Sequence, residues 1–135
     1  MDRFHAQLDH DTKEVVLVHD LAPDIVRQRL LIEGLFTIDV DESVIRQFFD
    51  QFTAGMGFRT YGAPTIFAPS GDGRAENQGY DAFVPLIDSG ISLYVWSAPR
   101  FLAIVIFTCK RFNADQAISL ARDFFDMPEL AHSLF

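Results

Sequence analysis

The fold is decided by LIDSGISLYVW, the segment from Leu86 to Trp96, and by the apolar run FLAIVIF, Phe101 to Phe107, that follows it. Within the first segment the run from Ile91 to Trp96, like the second run, has the length and the β-branched and aromatic content of a strand. The insert SAPR at 97–100 has turn composition, so the two runs predict an antiparallel hairpin. The triplet Asp88-Ser-Gly90 interrupts the first run, and the chain's only cysteine, Cys109, follows Ser89 by twenty residues.

Working outward, the same criteria predict further strands at 14–18, 29–36, 58–67 and 82–88. Gly34 inside the second of these indicates a bulge or a close approach of another chain segment, and Pro64 places the third at an edge or a bend. The Gly-rich segment Ala68 to Gly79 predicts a surface loop.

Two helices are predicted, at 42–54 and 114–125, because apolar residues recur there at helical spacing. Asp39 with Glu42, and Asn113 with Gln116, have the spacing of N-terminal capping boxes. The element order β-β-α-β-β-β-β-α, with hairpins between strands, predicts an α+β fold. We expect one domain over residues 1–135, a two-layer sandwich of an antiparallel sheet with helices on one face.

The composition limits the classes of partner. A formal net charge of -8 argues against nucleic acid, which binds clustered Lys and Arg. The longest apolar run, Phe101 to Phe107, is too short to span a membrane, and no export signal is visible, so a soluble cytoplasmic protein is expected. His5, Asp9, His10 and Asp11 match no recognised metal-binding spacing, so we expect no metal.

The segment Asp88 to Trp96, followed by Phe107-Thr-Cys-Lys110, resembles the bacterial S-adenosylmethionine decarboxylases. In that family a Glu-Ser-His triplet leads into an Ile-Ser-Ile-His-Thr-Trp-type strand, and a later hairpin reaches Phe-Thr-Cys-Gly. The separations from serine to tryptophan, seven residues, and from serine to cysteine, twenty, are the same here. The resemblance covers residues 29–125 and leaves 1–28 as an N-terminal extension.

The resemblance implies a self-processing, pyruvoyl-dependent decarboxylase. Ser89 would attack the Asp88 carbonyl, and cleavage would leave a pyruvoyl cofactor at position 89. It implies that the Cys109 thiol donates a proton after decarboxylation, which suits a thiol because thiols are mostly protonated at pH 7. It also implies an S-adenosylmethionine-like ligand, with Trp96, Phe67 and Phe83 as candidate substrate-binding rings, and a homodimer.

The departures from the family affect groups that handle protons. Gly90 replaces the histidine after the serine, Tyr94 replaces the histidine five residues on, and Ser97-Ala98 replaces a Pro-Glu pair. A phenol is a poor base at pH 7, and lost acid–base assistance typically slows a step about 100- to 10,000-fold. The candidate catalytic residues are therefore Asp88, Ser89 and Cys109, with Tyr94 as the replacement for the lost histidine.

Three functions remain open from the sequence. One is an active decarboxylase of S-adenosylmethionine or another amino acid, which serves polyamine (spermidine) synthesis. The second is a non-processing relative that binds a nucleoside-type ligand or regulates a paralogous decarboxylase, and the lost histidines favour it. The third is a ligand-free dimerisation domain. In the third case Ser89 is an ordinary hairpin residue and Cys109 is a small packing residue. The active decarboxylase, in contrast, requires the Ser89 hydroxyl and the Cys109 thiol to face one cavity.

Overall fold

The structure is a computed structural model that describes residues 19–135 and, before them, residues 7–8 and 15–16. The N-terminal elements are β1 (Gln7–Leu8), β2 (Val15–Val16), β3 (Gln28–Leu35) and α1 (Glu42–Met56). After them come β4 (Thr65–Phe67), β5 (Gly79–Leu86), β6 (Ser89–Trp96), β7 (Phe101–Thr108), α2 (Ala114–Phe125) and β8 (Glu129–Leu134).

Six strands form one sheet in the order β4-β5-β6-β7-β3-β8, and β1 and β2 pair separately. Every pair in the sheet is antiparallel. The hairpins β5–β6 and β6–β7 place β6 in the interior, and β3 inserts between β7 and β8. An α+β fold with an antiparallel sheet is confirmed.

The core lies between one face of the sheet and the two helices. Because side chains alternate along a strand, this face takes every second residue. Its buried apolar members are Leu30, Ile32, Val84, Leu86, Ile91, Leu93, Val95, Leu102, Ile104 and Ile106. The helices contribute Phe48 and Phe52 from α1 and Phe125 from α2, with the Phe48 ring centroid 5.1 and 4.7 Å from the other two. Each such buried ring contributes roughly 1.5–3 kcal/mol of hydrophobic stabilisation.

The other face of the sheet, called the open face below, consists of the alternate residues of the same strands. Its aromatic side chains are only half-buried: Phe83 is 43% exposed, Phe107 40%, Tyr94 38% and Trp96 36%. An aromatic surface of this kind is typical of a binding face rather than of a core.

The helix predictions are confirmed, with one correction at a cap. Asn113 caps α2 by accepting a hydrogen bond from the Gln116 N–H, as predicted. For α1 the cap prediction was wrong, because Asp41 rather than Asp39 accepts the hydrogen bond of the Val44 N–H. Asp39 instead pairs with Arg100.

The strand predictions were less complete. Of the predicted strand 58–67 only Thr65–Phe67 forms, at the sheet edge, and the predicted strand 14–18 lies partly outside the described residues. β8 was not predicted, because this edge strand shows no apolar–polar alternation in its sequence or its burial. Gly34 is a close approach as predicted, since a Cβ there would lie 2.7 Å from Met127 Sδ.

Candidate functional site

The Asp88–Ser89 bond lies at the tip of the β5–β6 hairpin. Leu86 pairs with Ser89, so only Ile87 and Asp88 form the turn. Two-residue hairpin turns usually carry positive φ on a turn residue, most often Gly, Asn or Asp. Neither turn residue has positive φ here, and the positive value falls instead on Ser89, at 140°.

This φ places Ser89 in a conformation that residues with a side chain rarely adopt. Gly90, the next residue, would accept positive φ without strain, yet it does not have it. Backbone strain of this kind costs on the order of 1–3 kcal/mol and concentrates at functional sites. The strain therefore lies on the residue that carries the candidate nucleophile.

The carbonyl before Ser89 is already bound by a hydrogen-bond donor. The Cys109 N–H donates to the Asp88 carbonyl oxygen at 2.9 Å. This contact arises because β6 and β7 pair in register, with Ser89 opposite Thr108, so the next residue of β7 meets the turn. A backbone N–H on a carbonyl stabilises the negative charge that develops on its oxygen during nucleophilic attack.

The other edge of the hairpin tip is held by the segment that follows α1. The Ile87 N–H donates to the Arg59 carbonyl at 2.9 Å, and the Tyr61 N–H donates to the Pro85 carbonyl at 3.0 Å. The tip is thus fixed on both sides by main-chain hydrogen bonds, and the strain at Ser89 cannot relax by a shift of the whole turn.

Two contacts near the tip were missed from the sequence. Lys110 Nζ lies 3.3 Å from Asp88 Oδ2, and the Asp88 side chain is only 20% exposed. The Gln28 side chain makes two hydrogen bonds to the main chain of Phe112, at 2.9 and 3.0 Å, and so fixes the loop that carries Cys109. Lys110 stands where the S-adenosylmethionine decarboxylases that the sequence resembles have glycine. This difference was the one sign of the Lys110 contact in the sequence.

Gly90 is covered by an aromatic ring. A Cβ at Gly90 would lie 2.6 and 2.7 Å from the Phe83 Cζ and Cε1 atoms. The Phe83 ring thus occupies the space on the open face that a side chain at position 90, the residue after Ser89, would need. Of the three candidate substrate-binding rings, Phe83 is the one that the structure brings to the hairpin tip.

The remaining candidates share the open face but lie farther away. Tyr94 is opposite Asp81 and Asp81 is opposite Phe67, so these three form one row across the sheet. Tyr94 is five residues along β6 from Ser89, about 16 Å, and Trp96 is seven residues away, about 23 Å. Tyr94 and Trp96 are therefore remote from Ser89 of the same chain along the strand.

Ser89 is half-buried and Cys109 is exposed. A cavity of about 350 Å³ lies between α1 and the segment 60–64, with Arg46, Asp50 and Thr60 in its wall, and it includes neither Ser89 nor Cys109. That the hydroxyl and the thiol face one cavity stays a prediction.

Residues 19–135 include two histidines, His19 and His132. His132 lies on β8, three strands from β6, which is about 14 Å. No group of three or more His, Cys, Asp or Glu in these residues is arranged to hold a metal ion, and His5, Asp9, His10 and Asp11 lie outside the described residues. None of the described helices is both long enough and apolar enough to cross a membrane.

Comparisons with known proteins identify the family and the fold. A family model described as S-adenosylmethionine decarboxylase matches residues 37–133, a range that includes Ser89 and Cys109. No curated protein matches the chain. The crystal structure of the adenosylmethionine decarboxylase from Aquifex aeolicus has a TM-score of 0.63 at 14% identity, covering 82% of this chain and 89% of that chain. At this identity the match shows the fold, and the family model shows the family. The chain belongs to the S-adenosylmethionine decarboxylase family.

Proposed function

We propose that this chain is a cytoplasmic self-processing proenzyme that cleaves its Asp88–Ser89 bond and becomes a pyruvoyl-dependent decarboxylase. The observation that carries the proposal is the backbone at the cleavage site. Ser89 has φ 140°, and the Asp88 carbonyl accepts the Cys109 N–H at 2.9 Å. A strained peptide with a bound carbonyl oxygen is the arrangement that an acyl shift needs.

The reaction would begin when Ser89 Oγ bonds to the Asp88 carbonyl carbon. The Asp88–Ser89 C–N bond then breaks, which gives an ester and a free amine on residue 89. Loss of the Cα proton expels the Asp88 carboxylate and leaves a dehydroalanine. Its imine form takes up one water and releases ammonia, which leaves a pyruvoyl group on residues 89–135.

The residues at the site fit this cofactor, because Ser89 supplies a hydroxyl and the carbonyl that it would attack accepts a main-chain N–H. Once formed, the group withdraws electrons from a bound amino acid and so favours decarboxylation. In this proposal the Cys109 thiol holds the proton that replaces the lost carboxylate, and the Phe83 ring covers Gly90, the residue that follows the pyruvoyl group. The substrate would be S-adenosylmethionine or another amino acid of the polyamine pathway.

The acid–base groups set the expected rate. With Gly90 and Tyr94 in place of the family histidines, we expect processing about 100- to 10,000-fold slower than with an imidazole beside Ser89. The elimination step should suffer most, because it removes a proton from carbon. The ester should therefore accumulate before the two chains separate.

Intact-mass spectrometry over hours to days tests the proposal. We expect the 15.3 kDa chain to give the fragments 1–88 and 89–135. Because the reaction adds one water and releases one ammonia, their summed mass should equal the mass of the precursor plus water minus ammonia. Hydroxylamine should cleave the ester and release residues 1–88 early. Ser89→Ala should abolish both products, whereas Ser92→Ala, on the same strand, should not. A single chain that resists hydroxylamine after days would refute the proposal.

A second candidate, the non-processing relative, is favoured by the ring over Gly90. Phe83 fills the place of the side chain that the family has at position 90, and it remains 43% exposed on an aromatic face, which suits stacking of a nucleoside base. A thermal-shift titration with S-adenosylmethionine tests it, since a ligand at 100 times its Kd stabilises by about 2.7 kcal/mol. Phe83→Ala should remove the shift.

We further propose that two copies associate through their open faces. The half-exposed rings of Phe83, Tyr94, Trp96 and Phe107 form an apolar surface suited to a symmetric homodimer. Sedimentation should give twice the mass of the chain, and Phe107→Asp should give the monomer. A monomer at all concentrations would contradict this arrangement, and a dimer without ligand binding or cleavage would favour a ligand-free dimerisation domain.

A further inference from the structure

Asp88 is held at two atoms by two consecutive residues. Its carbonyl oxygen accepts the Cys109 N–H at 2.9 Å, and its carboxylate lies 3.3 Å from the Lys110 ammonium. We propose that Lys110 is a positioning residue that keeps the Asp88 carbonyl on the Cys109 N–H. The inference rests on the proposed function for its role in cleavage, although the link itself exists in the uncleaved chain.

Lys110 is suited to this task because its own position is fixed. The Thr108 hydroxyl donates to the Lys110 carbonyl at 2.5 Å, and Thr108 is fully buried. The Lys110 ammonium also lies 5.8 Å from the ring centroid of Phe58, which is 7% exposed. Phe58 in turn packs edge-on against Phe112 at 5.7 Å. The ammonium is therefore placed by both its main chain and the core.

The geometry explains how a contact with a carboxylate acts on a carbonyl. The Asp88 turn residue has two backbone torsions, and rotation about either moves its carbonyl away from the Cys109 N–H. The ion pair between the Asp88 carboxylate and Lys110, the residue after Cys109, opposes that rotation. Without it, the strain at Ser89 would be relieved most easily by tilting the Asp88 peptide.

The expected effect of removing the Lys110 ammonium is modest. The Lys110 side chain is 43% exposed, and exposed ion pairs change equilibria by at most about fivefold. We therefore expect the Asp88–Cys109 hydrogen bond to open up to about fivefold more often without the ammonium. We assume that the Asp88 carbonyl cannot be attacked while this hydrogen bond is open. Where the bond is open for much of the time, cleavage should then slow by a similar factor.

Amide hydrogen exchange in a Ser89→Ala chain tests the link whether or not the natural chain cleaves. We expect Lys110→Met to speed exchange of the Cys109 N–H by about three- to fivefold. Lys110→Arg should keep the slow exchange, because it keeps the charge. The matched control is Arg111→Met, which removes the adjacent charge; Arg111 forms no ion pair with residues 19–135. It should leave the Cys109 exchange rate unchanged.

Three results would overturn the inference, and the first two come from hydrogen exchange. One is equal Cys109 exchange with and without the Lys110 ammonium, and the other is an equal increase in Arg111→Met. Exchange of the Phe36 N–H, which binds the far hairpin, reports any general loosening. A natural chain that never cleaves refutes the proposed function alone. A third applies to a natural chain that cleaves and whose Cys109 N–H is open for much of the time: Lys110→Met that opens the hydrogen bond further yet cleaves at the full rate refutes the positioning role.

Discussion

The two hairpins of β6 each place a residue with a side chain at positive φ, and they differ in what surrounds it. At the β6–β7 turn Arg100 has φ 57°, in the left-handed helical region. Its carbonyl accepts the Phe36 N–H at 2.9 Å, and its guanidinium donates to the Thr37 and Ile38 carbonyls at 3.0 Å. The conformation at Arg100 is thus offset by contacts that join the hairpin to the segment before α1.

At the β5–β6 turn the positive φ falls on Ser89 at 140°, outside that region. The hydrogen bonds at this tip fix the two residues that precede Ser89, through the Ile87 N–H and the Asp88 carbonyl. One hairpin therefore uses positive φ to make stabilising contacts, and the other holds strain next to a hydroxyl. The same backbone feature has a structural role in the first and, in our proposal, a chemical role in the second.

The largest effect on stability should come from Arg100→Ala. It removes hydrogen bonds from a charged group to two carbonyls and should lower the free energy of unfolding by about 2 kcal/mol. Arg100→Gly loses the same contacts but accepts φ 57° freely, so it should cost about 1 kcal/mol less than the alanine variant. Urea denaturation measures both, and equal losses would show that the backbone at Arg100 is unstrained.

Gly90→Ala should rank next. The new Cβ meets the Phe83 ring at 2.6 Å, and overpacking of this kind costs about 1–3 kcal/mol. The ring is half-exposed and rotates in part, so we expect the lower end of that range. In a Phe83→Ala background the same change should cost much less. A double-mutant cycle with no coupling would show that the ring does not occupy this space.

Ser89→Gly tests the strain directly when compared with Ser89→Ala, because both lack the hydroxyl. Glycine accepts φ 140° without penalty, so its variant should be more stable by about 1 kcal/mol, less than the full strain because glycine also loses more entropy on folding. Identical urea midpoints for Ser89→Gly and Ser89→Ala would show that Ser89 is unstrained, and the two hairpins would then no longer differ in this respect.

The smallest effect should appear outside both hairpins, at Asp20. The Ala22 N–H and the Arg27 guanidinium both bind its carboxylate and lower its pKa below the ordinary 3.8. Its stabilisation is present above pH 3.8 and is lost as the pH falls through the lowered value. Acid titration should disturb the amide signals of Ala22 and Ile25, and Asp20→Asn should abolish this change. Loss of the amide signals of the two β6 hairpins in the same titration step would contradict the prediction that the change is confined to the segment around Asp20.

The periodicity of the sequence predicted both helices and most of the sheet, since burial repeats every second residue in β6 and at helical spacing in α1. β8 was missed because an edge strand with both faces half-exposed has no such pattern. The Asp41 cap was missed because Asp39 and Asp41 are both plausible caps, and the choice depends on Arg100, sixty-one residues later than Asp39.

The site was only partly predictable. Ser89 and Cys109 were named from the family resemblance, whose spacing they match, and the pairing of β6 with β7 is what brings the Asp88 carbonyl to the Cys109 N–H. The lost histidines favoured a non-processing protein from residue types alone. The backbone at Ser89 supports the opposite proposal, and a residue's φ cannot be inferred from its type when a glycine stands beside it.

By itself, the sequence determined the family resemblance, the two-layer fold and the identity of the nucleophile candidate, because these depend on local pattern and motif. Only the tertiary structure decided that the strain lies on Ser89 rather than Gly90, that Lys110 pairs with Asp88, and that Phe83 covers position 90. Each of these depends on strand register, which brings together residues that are distant in the chain.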